Sequence, residues 1–194
     1  MSDSTRASII NATILLFNQY GPMVPMSRIS KAAGVAAGTP FIYFKTKEEL
    51  LAAAYHEARN NTLRCVPLEN LEGMDAEYIV KNIVHTIMKW SALCPQELEY
   101  MRKYEDMVCY DCFTEHFSDA LYAGVIRDLN IWPVLQPAVR SELPEPLLNR
   151  LISFNCSVYS RYVTHLGLKP EDPAFLKLAD ATADSIWNSI RNIR

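Results

Sequence analysis

The stretch from Ser27 to Lys47 constrains what this chain can fold into more than any other part of the sequence. Two short apolar runs meet at Gly34, and the unrestricted backbone of a glycine is typical of the residue that follows a helix. A second helix of about two turns is predicted from Ala36 to Phe44, with small residues at its start and aromatic residues at its end. Two short helices joined by a tight turn are the pattern of a helix-turn-helix.

The first of these two helices is predicted to have one apolar face. Ile29, Ala32 and Ala33 have the i, i+3, i+4 spacing of side chains that share a helix face. The opposite, polar face is predicted to carry Arg28, Ser30 and Lys31. The small residues that begin the second helix would let its backbone approach the major groove of DNA closely, as a recognition helix does.

With these residues, the N-terminal part of the chain resembles the tetracycline-repressor (TetR) family of transcriptional regulators. The family pattern has Phe and Gly near the end of a helix, followed by Ile-Ala-x-x-Ala-Gly-Val-x-x-Gly-Thr-Leu-Tyr-x-Tyr-Phe-x-x-Lys-x-x-Leu. The corresponding residues here are Phe17, Gly21, Ile29, Ser30, Ala32, Ala33, Gly34, Val35, Gly38, Thr39, Phe41, Tyr43, Phe44, Lys47 and Leu50. The resemblance covers residues 6–51, and so many positions at fixed spacing make it specific.

Three positions depart from the family pattern. Pro25 replaces the hydroxyl residue that opens the second helix and contacts a phosphate, Pro40 replaces a Leu in the recognition helix, and Phe41 replaces a Tyr. Because proline has no N–H and a fixed φ, a proline at position 40 is expected to shorten or tilt the recognition helix. These residues leave an alternative open, a helical protein-interaction module of the same fold that has lost specific DNA binding.

The resemblance implies a set of DNA contacts within this N-terminal region. The residues carried over are Ser27, Arg28, Lys31, Ala36, Ala37, Gly38, Thr39, Phe41, Ile42, Tyr43 and Lys47. The cationic and polar side chains among them, such as Arg28 and Lys47, would bind phosphates and fix the register. The small and apolar ones, such as Ala37 and Ile42, would meet base edges by close contact and favour the methyl group of thymine.

The charge of the chain is distributed as a DNA-binding N-terminus requires. The 194 residues carry a formal net charge of −3 at pH 7. Residues 1–50 contain five Lys and Arg against three Asp and Glu, which gives +2 and leaves −5 for the rest of the chain. The positive charge is therefore concentrated where DNA would bind.

The whole sequence predicts an all-α protein, with no strand pattern of any length and no internal repeat. Apart from the helix-turn-helix pair, helices are predicted over Ser4–Tyr20, Lys47–Cys65, Asp75 to the residue before Pro95, Pro95–Cys109, Phe113–Leu129, Pro146–Leu166 and Pro173–Ile193, with one short helix among the prolines after Trp132. Gly21 and Gly167 are predicted to end helices, and Thr46 and Glu49 to form a capping box. We expect a three-helix DNA-binding domain over residues 1–47 and a helical effector-binding and dimerisation domain over residues 48–194.

The last two predicted helices are apolar around much of their circumference. Such helices bury two faces, and a second subunit can supply the second cover. The final helix pair forms a four-helix dimer interface in the TetR-like family, so the resemblance implies a homodimer on a pseudo-palindromic site. The residues assigned to this interface are Leu151, Phe154, Val158, Ala181, Ile186, Trp187 and Ile190. The alternative is that both faces belong to the core of one subunit.

The resemblance also implies a small-molecule effector bound by the middle helices. Aromatic side chains with polar tips, together with methionine, suit a mainly apolar pocket that orients its ligand by a few hydrogen bonds. The candidate residues are Trp90, Tyr100, Met101, Tyr104, Phe113, Phe117, Tyr122, Tyr159, Tyr162 and His165. Each of them could instead be an ordinary core residue.

The five cysteines are spread through predicted helices, which indicates reduced thiols rather than a disulfide framework. Cys109, Cys112 and His116 would share one helix face and could bind zinc or respond to an oxidant, although a structural zinc site has four ligands and core or solvated thiols are the simpler interpretation. No glycine-rich phosphate loop follows a strand, and no nucleophile elbow is present. We expect no catalytic or metal site, no cofactor and no enzymatic activity.

No apolar run approaches the length of a transmembrane helix, and the N-terminus lacks the pattern of a signal peptide. The sequence thus predicts a cytoplasmic protein that does not contact a membrane. With the family resemblance, it predicts a ligand-responsive transcriptional regulator, a homodimeric repressor released from a pseudo-palindromic operator in double-stranded DNA by a small, largely apolar or aromatic effector.

Overall fold

A computed structural model describes residues 3–65, 74–111, 126 and 129–192, with the backbone alone at positions 109–111, 146 and 150. The helices of these residues are α1 (Asp3–Tyr20), α2 (Met26–Ala32), α3 (Pro40–Tyr43), α4 (Lys47–Cys65), α5 (Ala76–Leu93), α6 (Pro95–Asp111), α7 (Trp132–Leu135), α8 (Glu145–His165) and α9 (Pro173–Ile190). Within the described ranges, β-structure is limited to one isolated antiparallel bridge between Val139 and Arg191. The predicted all-α class is confirmed.

Three helices end at glycines, as predicted. Gly21, Gly34 and Gly167 follow α1, α2 and α8 with φ of 71°, 69° and 66°. The Val35 amide donates a hydrogen bond to the Ser30 carbonyl at 3.0 Å, which completes a Schellman motif around Gly34. Residues with a Cβ are strained in this left-handed conformation, so the sharp turn after α2 depends on glycine.

The start of α4 has the predicted capping box in a modified form. The Glu49 amide donates to the Thr46 hydroxyl oxygen at 3.1 Å, whereas the Glu49 carboxylate accepts a hydrogen bond from the Lys45 amide at 2.7 Å. Hydrogen bonding to its own backbone amide, and then to the Thr46 hydroxyl, holds the pKa of Glu48 below its usual value. The connection between α3 and α4 is therefore fixed by local hydrogen bonds.

The recognition helix is shorter than predicted. The two-turn helix expected over Ala36–Phe44 is wrong, because α3 contains only Pro40–Tyr43. Residues 36–39 form a tight turn in which the Thr39 amide donates to the Ala36 carbonyl at 2.9 Å. Pro40 has no N–H to donate to that carbonyl, as the residue at this place in a continuous α-helix would.

The first compact unit comprises Met1–Asn61 and Pro95–Glu115. In this unit α1 packs against α2, α3 and α6. Tyr100 of α6 is fully buried, its ring meets the ring of Phe17 edge-on at 4.9 Å, and its hydroxyl donates to the Leu51 carbonyl at 2.8 Å. Burial raises the pKa of the Tyr100 hydroxyl far above its usual value. α6 thus belongs to the core around α1 and α4.

The second compact unit comprises Thr62–Cys94 and His116–Arg194. In this unit α5 packs against α8 and α9, which also pack against each other. An apolar stripe of α5 is buried: Ile79, Ile83 and Ile87 belong to the core of this unit, and Trp90 is buried as well. No described helix is both long enough and apolar enough to cross a membrane.

Ion pairs join α5 to α9 at the edge of this core. The Lys81 ammonium lies 2.7 Å from the Asp184 carboxylate and 2.6 Å from that of Glu77. The hydrogen bond with Asp184, followed by the one with Glu77, raises the pKa of Lys81 to about 12. His85 and Asp180 form a second contact at 3.2 Å. These groups are partly exposed, so they fix the register of the two helices more than they add stability.

Candidate nucleic-acid interface

The exposed face of α2 differs in part from the predicted one. Arg28 and Lys31 are exposed and Ile29 is fully buried, as expected. Ser30, expected on the polar face, is buried because its hydroxyl donates to the Met26 carbonyl at 2.9 Å and lies 3.3 Å from the Ala37 carbonyl. Ala32, expected on the apolar face, is exposed. The Ser30 hydroxyl therefore connects α2 to the turn that leads into α3.

The turn before α3 and α3 itself present an uncharged surface. Phe41 and Ile42 are 53% and 65% exposed, which is unusual for large apolar side chains, whereas Pro40 is buried. Thr39 and Tyr43 are half-buried. The remaining exposed residues of this surface are Ala36, Ala37 and Gly38. Such a surface can offer close apolar contact, but it has no side chain capable of a bidentate hydrogen bond with a base.

Gly38 is not needed by the fold. A Cβ placed at this position would meet nothing within 4 Å, and the backbone there is not left-handed. The position is open on the same exposed surface as Phe41 and Ile42. A requirement for glycine at this place would therefore come from a molecule that approaches the surface.

Four cations lie in the same region, namely Arg28, Lys31, Lys45 and Lys47. In the part of the chain that the structure describes, none of these four side chains forms an ion pair with a carboxylate. By contrast, Arg6 on α1 lies 3.7 Å from the Glu57 carboxylate. Lys47 interacts electrostatically with the neighbouring carboxylate of Glu48. The cations beside α3 are thus not engaged in ion pairs within the described residues, and phosphates could bind them.

Arg28 is held by Tyr20, the last residue of α1. Its guanidinium carbon lies 3.7 Å from the centroid of the Tyr20 ring, and its Nη2 donates to the Tyr20 hydroxyl at 2.8 Å. Sequence reasoning missed Tyr20, because no local rule pairs residues on two helices across a turn. Pro25, the N-cap of α2, makes no side-chain capping hydrogen bond.

The candidate effector residues do not all lie in one unit. Tyr100, Met101 and Tyr104 belong to the first unit, where the Tyr104 ring lies 5.1 Å from that of Tyr55. Trp90, Tyr159, Tyr162 and His165 belong to the second unit. Phe113, Phe117 and Tyr122 lie outside the described residues. The effector site stays a prediction.

The candidate interface residues of α8 and α9 are placed in two different ways. Phe154 and Val158 are 69% and 49% exposed, Ala181 is exposed, and Leu151 is half-buried. The other three are buried in the core of the second unit: Ile186, Trp187 and Ile190. These three cover α5 and α8 within one subunit, so an interface on the exposed surface would consist of the first four.

The described residues contain no group of three or more His, Cys, Asp or Glu side chains that could hold a metal ion. Cys112, His116 and the side chain of Cys109 lie outside them, so the zinc or oxidant hypothesis stays a prediction. Cys65, Cys94 and Cys156 form no disulfide, and burial raises the pKa of Cys156 to about 12. Such a thiol is not reactive at neutral pH.

Residues 9–54 match the family described as bacterial regulatory proteins, tetR family. The whole chain has the fold of solved members: a TetR family transcription regulator from Marinobacter aquaeolei VT8 superposes with a TM-score of 0.79 at 17% identity, over 98% of this chain and 97% of that one. A TetR-family regulator from Haemophilus influenzae gives a TM-score of 0.69 at 20% identity, with 97% of each chain covered.

The transcriptional regulator FadR from Bacillus subtilis, solved in complex with stearoyl-CoA, gives a TM-score of 0.60 at 17% identity, over 95% of this chain and 98% of that one. No curated protein matches the chain by sequence. The predicted resemblance to the TetR family is confirmed by the family match and by the fold.

Proposed function

Because residues 9–54 belong to the tetR family of bacterial regulatory proteins and the whole chain has the fold of TetR-family transcription regulators, we propose that the protein regulates transcription by binding duplex DNA through residues 1–47. Residues 48–194 then bind an effector and form the dimer. α4, which begins at Lys47, would carry changes between the two functions.

One observation carries the DNA-binding proposal: exposed apolar side chains and unpaired cations lie together on a short stretch of chain. Phe41 and Ile42 supply the apolar part, and Arg28, Lys31 and Lys47 supply the charge. An exposed apolar surface beside cations is suited to a major groove, where thymine methyl groups lie between two rows of phosphates. The cations would set the register, and α3 with its preceding turn would read the bases.

The exposed face of α8 supports a homodimer. Leu147, Leu151, Phe154, Val158 and Tyr162 follow one another at spacings of three or four residues, so they share one helix face, and all but Leu151 are at least 44% exposed. A continuous apolar stripe of this length is rarely left in water. We assign a second copy of the chain as its cover, with Ala181 of α9 beside it. Two heads related by a twofold axis would bind half-sites about one turn of DNA apart.

The proposed effector is a small, largely apolar or aromatic molecule that releases the dimer from DNA, which would make the protein a repressor. The stearoyl-CoA bound by FadR from Bacillus subtilis is an example of a ligand with a long apolar part. If the effector lowers the affinity for DNA by some factor, DNA lowers the affinity for the effector by the same factor. Comparing the effector affinity with and without DNA therefore tests the proposal without knowledge of the regulated genes.

A second function is favoured by Pro25 and Pro40. Pro25 provides no capping side chain for α2, and α3 begins at Pro40 and contains four residues. A helical protein-interaction module that kept the fold and lost specific DNA binding would tolerate both changes. The two functions differ in whether the protein has a salt-dependent affinity for duplex DNA.

The deciding experiment is fluorescence anisotropy of the purified protein with DNA from immediately upstream of its own gene and with a random duplex, each at two salt concentrations. A regulator should bind the upstream fragment more tightly, and more weakly as salt rises, because counterions are released from the phosphates. Stearoyl-CoA and free stearate are then added as probes for release. No binding to either duplex at low salt would favour the interaction module.

A further inference from the structure

The contact between Tyr20 and Arg28 brings together the end of α1 and the first turn of α2. The guanidinium carbon of Arg28 lies 3.7 Å from the centroid of the Tyr20 ring, and Nη2 also donates to the hydroxyl of the same ring at 2.8 Å. Tyr20 is 49% exposed and Arg28 is exposed. The pair is thus a surface arrangement that orders a long, flexible side chain without burying it.

The Tyr20 phenol fixes the cation without neutralising it. One N–H of Arg28 is used by the Tyr20 hydroxyl, and a guanidinium has five. Among the described residues Arg28 has no carboxylate partner. Arg102 on α6 shows the opposite case, since its guanidinium binds both Glu99 at 2.9 Å and Asp106 at 2.8 Å. Arg28 therefore keeps its full charge and most of its donors for an anion.

Position 25, three residues before Arg28, offers no hydrogen-bond donor to a phosphate. Pro25 has neither a hydroxyl nor an N–H, and no side chain caps α2. We propose that Tyr20 is a positioning residue, which holds Arg28 in place for a DNA phosphate at the start of α2, where position 25 offers no donor. This inference rests on the proposed DNA-binding function.

Tyr20 is expected to raise the affinity for DNA by ordering the Arg28 side chain and not by adding charge. A free arginine loses side-chain entropy when it binds a phosphate, whereas an arginine already stacked on a ring has lost much of it beforehand. The planar guanidinium can keep its stacked face on Tyr20 while its edge binds phosphate oxygens, which a lysine could not do in the same way. Because only part of the side-chain entropy of Arg28 is lost beforehand, we expect the contact to raise the affinity for DNA about two- to fivefold.

A double-mutant cycle on full-length protein tests the proposal. The variants are Tyr20→Leu, Tyr20→Phe, Arg28→Ala and the double variant Tyr20→Leu/Arg28→Ala, and the probe is a duplex of fixed random sequence at several salt concentrations. Phosphate contacts do not depend on sequence, so the operator is not required. Tyr78→Leu, a change at a tyrosine of α5 that is 53% exposed, is the matched control.

Arg28→Ala should weaken binding and lower the slope of log affinity against log salt by about 0.9, the effect of one lost phosphate contact. Tyr20→Leu should weaken binding about two- to fivefold while Arg28 is present and have no effect once Arg28 is absent. Tyr20→Phe, which keeps the ring, should retain part of the effect, and it keeps the test valid if Tyr20→Leu folds poorly.

Two results would overturn this inference alone. The first is that Tyr20→Leu changes the affinity for DNA equally with and without Arg28. The second is tighter binding after Tyr20→Leu, which would mean that the ring withdraws Arg28 from DNA. Failure of the unmodified protein to bind any duplex at low salt would instead remove the proposed function, and this inference with it. Whether the unmodified protein binds a duplex at low salt therefore separates the two failures.

Discussion

The hydroxyl of Tyr100 donates a hydrogen bond to the main-chain carbonyl of Leu51 at 2.8 Å, so a side chain of α6 is tied to the backbone of α4. The Tyr100 ring is fully buried and also meets Phe17 of α1. Three helices of the first unit therefore share one aromatic residue that the sequence had suggested as an effector contact. Its position gives it a structural role whether or not it also meets a ligand.

Tyr100→Phe should lower the free energy of unfolding by about 1 kcal/mol, because the ring stays and one buried hydrogen bond is lost. Tyr104→Phe is the matched control, since Tyr104 is also buried but its hydroxyl has no hydrogen bond among the described residues. Urea unfolding of the two variants measures the difference. Equal losses of stability would contradict the role given to the bond with Leu51.

Lys47→Ala should weaken binding to every duplex and lower the salt slope by about 0.9, because it removes a cation that is proposed to contact a phosphate and that forms no ion pair among the described residues. Lys177→Ala, at an exposed lysine of α9, should change neither quantity. Anisotropy titrations at several salt concentrations measure both. An unchanged salt slope in Lys47→Ala would mean that DNA does not bind beside the start of α4.

Gly38→Ala should leave the thermal midpoint unchanged, because the added methyl group meets open space, and it should weaken DNA binding if the backbone approaches the groove closely. Gly34→Ala provides the contrast. It places a Cβ at φ 69° and should lower the stability by about 1 kcal/mol. Differential scanning fluorimetry and anisotropy separate the two effects. Full DNA affinity in Gly38→Ala would show that the turn before α3 stays away from the bases.

Thymine is replaced by uracil in the tightest-binding duplex selected from a random pool. Each replacement at a methyl group that contacts Phe41 or Ile42 should weaken binding about two- to fourfold. One buried methyl group is then lost, while base pairing is unchanged. The same replacement should weaken binding less in the variant Ile42→Ala than in the unmodified protein. A set of duplexes with single uracil positions locates the contacts. Equal affinities throughout the set would rule out readout of thymine methyl groups by α3.

Phe154→Asp should raise the dimer dissociation constant by about tenfold or more, because it places a charge in the proposed apolar contact between two copies. The fold should tolerate the change, since Phe154 is 69% exposed in the single chain. Tyr78→Asp on α5 is the control and should leave the dimer intact. Analytical ultracentrifugation measures both variants. A monomeric unmodified protein, or an unaffected dimer in Phe154→Asp, would contradict the assignment of α8 as the interface.

Features that depend on near neighbours in the chain could be predicted from the sequence. Gly21, Gly34 and Gly167 end helices, and Thr46 caps α4, because these functions need only a residue type at a fixed offset. The length of α3 was predicted wrongly because the missing N–H of Pro40 outweighed the helical spacing of its neighbours.

Features that depend on distant residues could not be predicted in the same way. Helical spacing marks Tyr100 as facing inward, but it does not tell whether that side chain meets a ligand or the backbone of α4. The same limit applies to Ile186 and Trp187, whose apolar character fits a dimer interface as well as the core that contains them. Ser30 was expected on the polar, exposed face of α2. It is buried because the Met26 and Ala37 carbonyls lie within reach of its hydroxyl.

The residues of α3 differ in exposure, and this difference affects how such a protein can change its target sequence. Pro40 is buried, whereas Phe41 and Ile42 beside it are more than half exposed. Substitutions at these two positions should therefore cost less stability than substitutions at buried positions such as Ile29. A lineage, or a designer of orthogonal gene switches, could explore new operator sequences at positions 41 and 42 while the scaffold stays the same.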